Sequence, residues 1–409
     1  MTRRAVLLLA ILLGGVTGWA VARWSRLPVV SGPGRLASAT VGPGSGSTPA
    51  RFELLPDAPV RNVILVFGDG LGLAQTAAAR IHLLGPGGRL EIERFPVTGL
   101  VATHPANGLV TKSDAGATAY AAGVKTVNGR VGVAPDGRRL ASLFEWAREE
   151  GWRTGLVTSS YFFDATPASF VAHVERRHDH DAIIEQMAAA GVDLIAGGGL
   201  ERLRPRSDGR DLVAEAEARG VHVVTDRSAL AHADALPLWA VFPGRDLGER
   251  PDDPTLGELA SRSIDLLSAA SRRGGRGFLL LVEEEAIDSA SHFSDLERLA
   301  DAVARLDAAA AAAAEFARRD GSTLVLVLAD HSTGGLTIRQ SSTAERLDLM
   351  WSGDEHAGEP IVLWAYGPRD AALRFTGLLD NTEVHDRLVG LLEESLAPAG
   401  GAAPAPDGG

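Results

Sequence analysis

Short, unbroken apolar runs recur along the chain, separated by longer stretches in which apolar residues return every three or four positions. The runs NVILVFG, RTGLVTS, VDLIAGG, VHVVTD, GFLLLVE, TLVLVLAD and PIVLWAYG have the length and composition of strands buried on both faces. Between them, LASLFEWAREEG, DAIIEQMAAAG, TLGELASRSIDLLSAASRRGG and DLERLADAVARLDAAAAAAAEFARRDG read as helices. The alanine run at 308–314 strengthens the last of these and brings no chemistry of its own. Strands alternating with helices predict an α/β fold. The expected form is a three-layer sandwich, with a large, mostly parallel central sheet and helices on both faces. No fixed-period repeat is visible.

The pattern fails at both ends. Residues 1–27 carry Arg3 and Arg4 ahead of an apolar stretch, with Ala20-Val21-Ala22 as a small-x-small cleavage candidate. They read as a signal peptide, with an uncleaved N-terminal membrane anchor as the alternative. Residues 28–51 are rich in Gly, Pro and Ser and read as a flexible linker. A catalytic domain is expected over 52–396, and 397–409 read as a disordered tail.

In open α/β sheets ligands bind beyond the carboxyl ends of the strands, so the polar residue after each apolar run is the one to inspect. Those positions deliver Asp69, then Asp164 and Thr166, then Glu283, Asp288 and His292, then Asp330 and His331, with His356 before the last run. One such Asp is ordinarily a turn former or helix cap, and one His a surface group. Four strand ends supplying carboxylates, with three histidines among them, are a different matter. Asp288 and His292 stand four apart and share a face if that segment is helical. Imidazole with carboxylate is a donor set for zinc, and Asp, Glu and Thr oxygens suit magnesium. Bound cations would also let these carboxylates crowd together.

Composition narrows the function. The formal net charge is -12, which disfavours a nucleic-acid-binding surface and suits a carboxylate site for cations. Cysteine is absent, so disulfides, thiolate metal sites and a cysteine nucleophile are excluded. Ser113, at the start of a helical run in TKSDAGATAYAAG, is either an N-cap or a nucleophile in the field of a helix N-terminus.

The ordered set VFGDGLG, TKSDAGATAYAAGVKTVNG, DATPASFVAH, VEEEAID with SASH, LADHSTGG and DEHAGEP resembles the alkaline phosphatases. The resemblance runs from about Asn62 to GLLDNTEVHDRL, nearly the whole expected domain. It implies a homodimer that hydrolyses small-molecule phosphate monoesters, and the N-terminal segment adds the expectation that it is exported, periplasmic or extracellular. Asp288, His292 and His356 are then ligands of one zinc, and Asp69, Asp330 and His331 of a second. Asp69 bridges to a magnesium also held by Thr166 and Glu283, with Asp164 acting through water. Ser113 becomes the nucleophile of a phosphoserine intermediate and Arg177 the phosphate clamp, while Arg176 reads as a surface residue. The same resemblance leaves open a phosphodiesterase or sulfatase of the superfamily. A non-catalytic metal-binding module is the remaining alternative.

The chain departs from that pattern beside the nucleophile. Most relatives have an acidic residue before the serine and a small one after it; here Lys112 precedes and Asp114 follows. Either Asp114 orients Arg177 while Lys112 adds positive charge for phosphate, or both side chains face solvent. Ser289, after Asp288, is a further position where relatives vary.

Overall fold

The computed structural model describes residues 34–44, 51–248 and 250–396. In chain order the first half contains β1 (Arg35–Thr40), β2 (Asn62–Gly68), α1 (Leu73–Leu84), β3 (Val97–Ala102), α2 (Ser113–Ala122), α3 (Leu143–Glu149), β4 (Arg153–Tyr161), α4 (Ala165–Ser169), α5 (His180–Ala189) and β5 (Leu194–Gly198). There follow α6 (Leu212–Ala218), β6 (His222–Val224), α7 (Arg227–His232), β7 (Leu238–Phe242), α8 (Leu256–Arg272), β8 (Phe278–Glu284), α9 (Ala286–His292), α10 (Leu296–Asp320) and β9 (Thr323–Leu328). The remainder comprises β10 (Ser332–Thr333), β11 (Leu336–Ile338), β12 (Arg346–Trp351), β13 (His356–Ala357), β14 (Ile361–Tyr366), α11 (Arg369–Leu373), β15 (Gly377–Asp380) and α12 (Asn381–Leu396).

The ten-stranded main sheet has the order β15-β3-β14-β9-β2-β8-β4-β5-β7-β6. Its ladders are parallel except those of β14, which runs antiparallel to both β3 and β9. The expected α/β sandwich is present. Strands β2, β8 and β9 are buried at every position, which is why they read as continuous apolar runs rather than alternating ones. Consecutive residues of β2 face opposite layers. The Phe67 ring meets Tyr120 of α2 and Phe170 beside α4, whereas a Cβ at Gly68 would meet Leu306 of α10 at 3.0 Å. Helices α1, α8 and α10 pack on the second side. The buried alanines 309, 310, 313 and 314 of α10 let it lie close against its neighbours.

Polar side chains fasten the amino ends of the central strands. Asn62 donates to Thr323 Oγ1 (3.0 Å) and Asp320 Oδ2 (3.1 Å), and its Oδ1 accepts from the Phe278 N–H (3.1 Å). One buried amide thus ties β2, β8 and β9 together at the edge opposite the strand-end carboxylates. Capping boxes at Ser142/Glu145 and Thr255/Glu258 start α3 and α8.

Several elements were not expected. The stretch read as a flexible linker at 28–51 contains β1, which pairs antiparallel with β12 in a small sheet completed by β11. Its alternating burial, exposed or half-exposed throughout, explains why composition masked it. Strand β7 is apolar and fully buried, yet short and bracketed by Pro237 and Pro243, which read as breakers. The segments at 1–27 and 397–409 lie outside the described residues. Among the described residues no helix is long and apolar enough to cross a membrane.

Asn62→Ala would strand the Phe278 N–H and free two acceptors in the core. We expect it to cost about 2 kcal/mol of stability, read as a lowered urea midpoint; an unchanged midpoint would show that the amide fastens nothing.

Candidate metal centre and phosphate site

The strand-end residues converge. Asp69 follows β2, Glu283 lies near the end of β8, Asp288 and His292 lie on α9, and Asp330 and His331 follow β9. The two-residue β10–β13 ladder pairs Thr333 with His356 and so carries His356 over to His331, their rings stacked 3.6 Å apart. Ligand atoms of Asp288, His331 and His356 lie within 4.8 Å of one another, and so do those of Asp69, Asp330 and His331. The segment carrying Asp288 and His292 is helical, and His292 Nε2 sits 3.0 Å from Asp288 Oδ2. Two glycines make this convergence sterically possible. Gly70 (φ +72°) leaves no room for a Cβ, which would meet Asp288 Oδ1 at 2.8 Å. Gly116 brings α2 down onto Asp330, whose Cβ is 3.0 Å from where a side chain would begin.

Each histidine turns a lone pair inward. His356 Nδ1 faces the Thr111 carbonyl at 2.9 Å, and His292 Nδ1 faces the Asp354 carbonyl. A carbonyl only accepts, so both Nδ1 atoms carry a proton and Nε2 is the nitrogen left to ligate, on His292 once a cation displaces the proton it shares with Asp288. Thr333 donates its hydroxyl proton to Asp288 Oδ1 and lies 3.2 Å from His331 Nδ1, which fixes the same tautomer there. His331 Nε2 then faces three oxygens: Asp330 Oδ2 at 3.2 Å, Ser113 Oγ at 3.3 Å and Asp69 Oδ1 at 3.5 Å.

Asp69 Oδ1, Asp330 Oδ2 and Thr166 Oγ1 are buried without a hydrogen-bond partner. Burial, reinforced by Asp330 and Asp288, raises the Asp69 pKa well above the usual carboxylate range. Burial and Asp288 push Asp330 up to about 7. Burial and Asp164 push Glu283 up to about 8, against the opposing hydrogen bond from Thr158 (2.6 Å). Burial and the neighbouring His356 hold His331 well below its ordinary value. For His292, burial is outweighed by the hydrogen bond and charge of Asp288, which lift it to about 9. Asp288 itself is held low: burial opposes its ionisation, but the His292 hydrogen bond and the fields of His331 and His356 prevail. Buried anions facing imidazole lone pairs, with oxygens left unpaired, are the donor arrangement that divalent cations satisfy. The residues therefore fit metal ions. Imidazole-rich sets lie around Asp288 and His331. The oxygen donors Thr166 and Glu283 lie around Asp69, which also feels the charge of Glu283.

Of the three consecutive glutamates, Glu284 is paired to Arg305 through two contacts of 2.9 Å and Glu285 to Arg245 at 2.5 Å. Glu283 has a hydroxyl, Thr158, against it and no arginine.

Ser113 is the first residue of α2, with Lys112 rather than the serine at the N-cap position, and its hydroxyl points at His331. Asp114 is wholly buried. It accepts from Arg177 Nη1 (3.1 Å) and from the Gly129 N–H (2.7 Å), so the reading in which it faces solvent does not hold. Lys112 is exposed; its backbone N–H donates to Asn128 Oδ1 (2.9 Å), and its charge contributes to lowering His356 after burial. Arg177 Nη2 reaches Asp164 Oδ1 at 3.4 Å. Asp164 also caps α4 through the Ala165 N–H, so the cap and the site share one carboxylate. Arg176 is a surface residue paired with Asp179. Ser289 donates to Glu285 Oε1 (2.8 Å).

A family model described as alkaline phosphatase matches residues 60–349. The chain is 34% identical to the streptomycin-6-phosphate phosphatase of Streptomyces griseus, over 80% of this chain and 89% of that one. It is 30% identical to the alkaline phosphatase of Escherichia coli K12, over 93% and 96%. The chain belongs to the alkaline phosphatase family. Among solved structures it resembles the alkaline phosphatase of the Antarctic bacterium TAB5 (29% identity, TM-score 0.72, 83% of this chain and 99% of that one). It also resembles that of Thermus thermophilus (26%, 0.75, 84% and 96%). Alkaline phosphatases are metal-dependent, and membership makes this chain a phosphoric monoester hydrolase, in keeping with the clustered ligands.

Sequence reasoning missed Arg245. It lies just past β7, within a stretch of the chain without recognisable motifs, and its guanidinium reaches Glu285 and approaches Asp164. The rule that found Asp69 would have found it had β7 been recognised.

Stripped of metal, the site makes stability pH-dependent. Asp69, Asp330, Glu283 and Glu285 have raised folded pKa values, Glu285 to about 8 through burial that outweighs Arg245, and His292 is raised to about 9. The native state then holds more protons than the unfolded chain above neutrality, so stability falls as pH rises. The depressed His331 and His356 act oppositely only below about pH 6.5, where the unfolded imidazoles titrate. Chelator-treated protein should therefore lose melting temperature steadily from pH 7 to 9, and added zinc and magnesium should remove that slope. A flat profile for the stripped protein would contradict the electrostatic picture.

Proposed function

We propose that this alkaline phosphatase is exported and hydrolyses phosphate monoesters through a phosphoserine at Ser113, with two zinc ions and one magnesium ion in the cluster. Asp288, His292 and His356 would hold one zinc and Asp69, Asp330 and His331 the other; Asp69, Thr166 and Glu283 would hold magnesium, with Asp164 acting through water. The observation that carries the reading is the Ser113 hydroxyl, buried in the first turn of α2, outside the N-cap position and 3.3 Å from His331 Nε2. The bound cations would supply a lowered serine pKa, neutralisation of the phosphate and stabilisation of the departing oxygen.

The chain's own residues do the rest. Ser113 Oγ bonds to phosphorus as the bond to the leaving alcohol breaks; the serine proton is lost to solvent and the alcohol takes one up. Arg177 presents N–H groups to two non-bridging oxygens, a role its planar fork suits. Asp114 holds that fork from behind through the 3.1 Å pair, and the N-terminus of α2 adds a positive field. Water then attacks phosphorus, Ser113 Oγ departs and regains a proton, and phosphate leaves with net retention of configuration. Export rests on Arg3, Arg4 and the apolar stretch after them. A homodimer is the assembly the family resemblance implies.

Three measurements test the reading. Ser113→Ala should lower nitrophenyl phosphate turnover at least about a thousandfold while retaining its metals. An acid quench should trap phosphate covalently on Ser113 in the wild type only. The wild type should favour the monoester over a bis-ester and a sulfate. Full activity in the serine variant would sink the proposal, and preference for the bis-ester or sulfate would reassign the chain within its superfamily. Separately, Lys112→Ala should weaken inhibition by inorganic phosphate about two- to fivefold, less at high salt. Unchanged inhibition at low salt would remove Lys112 from the phosphate site.

A further inference from the structure

Arg177 meets an arriving phosphate with part of its charge already engaged. One guanidinium stands between two carboxylates, Asp114 at 3.1 Å and Asp164 at 3.4 Å, so Asp164 competes with phosphate for the edge of Arg177 that Asp114 leaves free. A second guanidinium approaches from the other side. Arg245 Nη2 lies 3.9 Å from Asp164 Oδ2 and 2.5 Å from Glu285 Oε1, and its Nε lies 3.3 Å from Ser160 Oγ, which itself donates to Asp164 Oδ2 at 3.4 Å. Asp164 is therefore shared, one oxygen toward each arginine. Glu285 in turn accepts from Ser289, the neighbour of Asp288 on α9.

We propose that Arg245 is a positioning residue of the phosphate site: by drawing Asp164 and Glu285 toward itself it leaves the free edge of Arg177 available for phosphate. The inference deepens the phosphomonoesterase reading and rests on it for the identity of the ligand. It requires three groups from separate elements to act in line, Arg245 after β7, Asp164 at the start of α4 and Arg177 before α5. Removing Arg245 leaves Asp164 with Arg177 as its guanidinium partner, so the two close on each other and the phosphate loses donors. The guanidinium matters as well as its charge, because one ammonium cannot reach both carboxylates with the same geometry.

The test uses the full metal-loaded protein and inorganic phosphate as the probe, measured by calorimetry, with metal content and melting temperature recorded beside it. Arg245→Gln should weaken phosphate binding about tenfold and raise KM for nitrophenyl phosphate in parallel, with kcat changed less than about threefold. Arg245→Lys should recover part of the loss. Arg210→Ala removes a surface arginine paired with Glu215 at 2.7 Å, remote from Asp164 and Arg245, and should leave phosphate binding unchanged. In an Asp164→Ala background Arg245→Gln should cost little more, since the path through Asp164 is already gone. The inference is overturned if Arg245→Gln binds phosphate as the wild type does. It is equally overturned if Arg210→Ala loses as much, or if the Arg245 effect persists in full without Asp164. Wild-type binding of phosphate without turnover of the monoester would instead defeat the catalytic reading alone.

Discussion

His331 Nε2 faces two buried carboxylate oxygens and a serine hydroxyl, and no proton on that nitrogen can satisfy all three. Around it Asp69, Glu283 and Asp330 are withdrawn from water with their ionised forms disfavoured, and oxygens of Asp69 and Asp330 have no hydrogen-bond partner. Isolated buried anions cost several kcal/mol each unless compensated. The compensation has to come from positive charge placed among them. This need explains the histidine tautomers, the glycines that let the loops close in, and the position of the serine.

The fold answers that need by geometry. Strands β2, β8 and β9 lie side by side and parallel, so the residues that follow them emerge at one edge despite their separation along the chain. Asn62 locks the opposite edge, which keeps those ends in register. Tyr120 fixes α2 by donating to the Ala329 carbonyl at 2.9 Å, one residue before Asp330, and thereby sets Ser113 against His331. Asp114, Arg177, Asp164 and Arg245 form a row of alternating charge beside the clustered carboxylates and histidines. The Lys and Asp that flank Ser113 fit this row. The buried Asp114 can brace Arg177 from the first turn of α2, which frees the preceding position for an exposed lysine.

Much of this was legible because burial on both faces writes continuous apolar runs, and the strand-end rule then points at Asp69, Glu283, Asp330 and His331 with no further knowledge. Asp288 and His292 were legible through their helical spacing. What escaped did so for physical reasons. Strand β3 alternates buried and exposed positions and contains Gly99, β15 is a four-residue edge strand, and β1 is nowhere fully buried. Their stability lies in pairing, which local sequence does not record. Arg245 forms its ion pairs with residues remote in sequence, so only the folded chain assembles them. The burial of Asp114 was likewise undetermined by its neighbours, since a first-turn aspartate is as readily solvated as buried.

Anomalous diffraction at the zinc edge, with elemental analysis of the same crystals, tests the central claim most directly. The account predicts strong peaks within the Asp288–His292–His356 and Asp69–Asp330–His331 sets, the second beside Ser113 Oγ. A folded and catalytically active protein with no divalent metal above trace, and no density between those side chains, would contradict it.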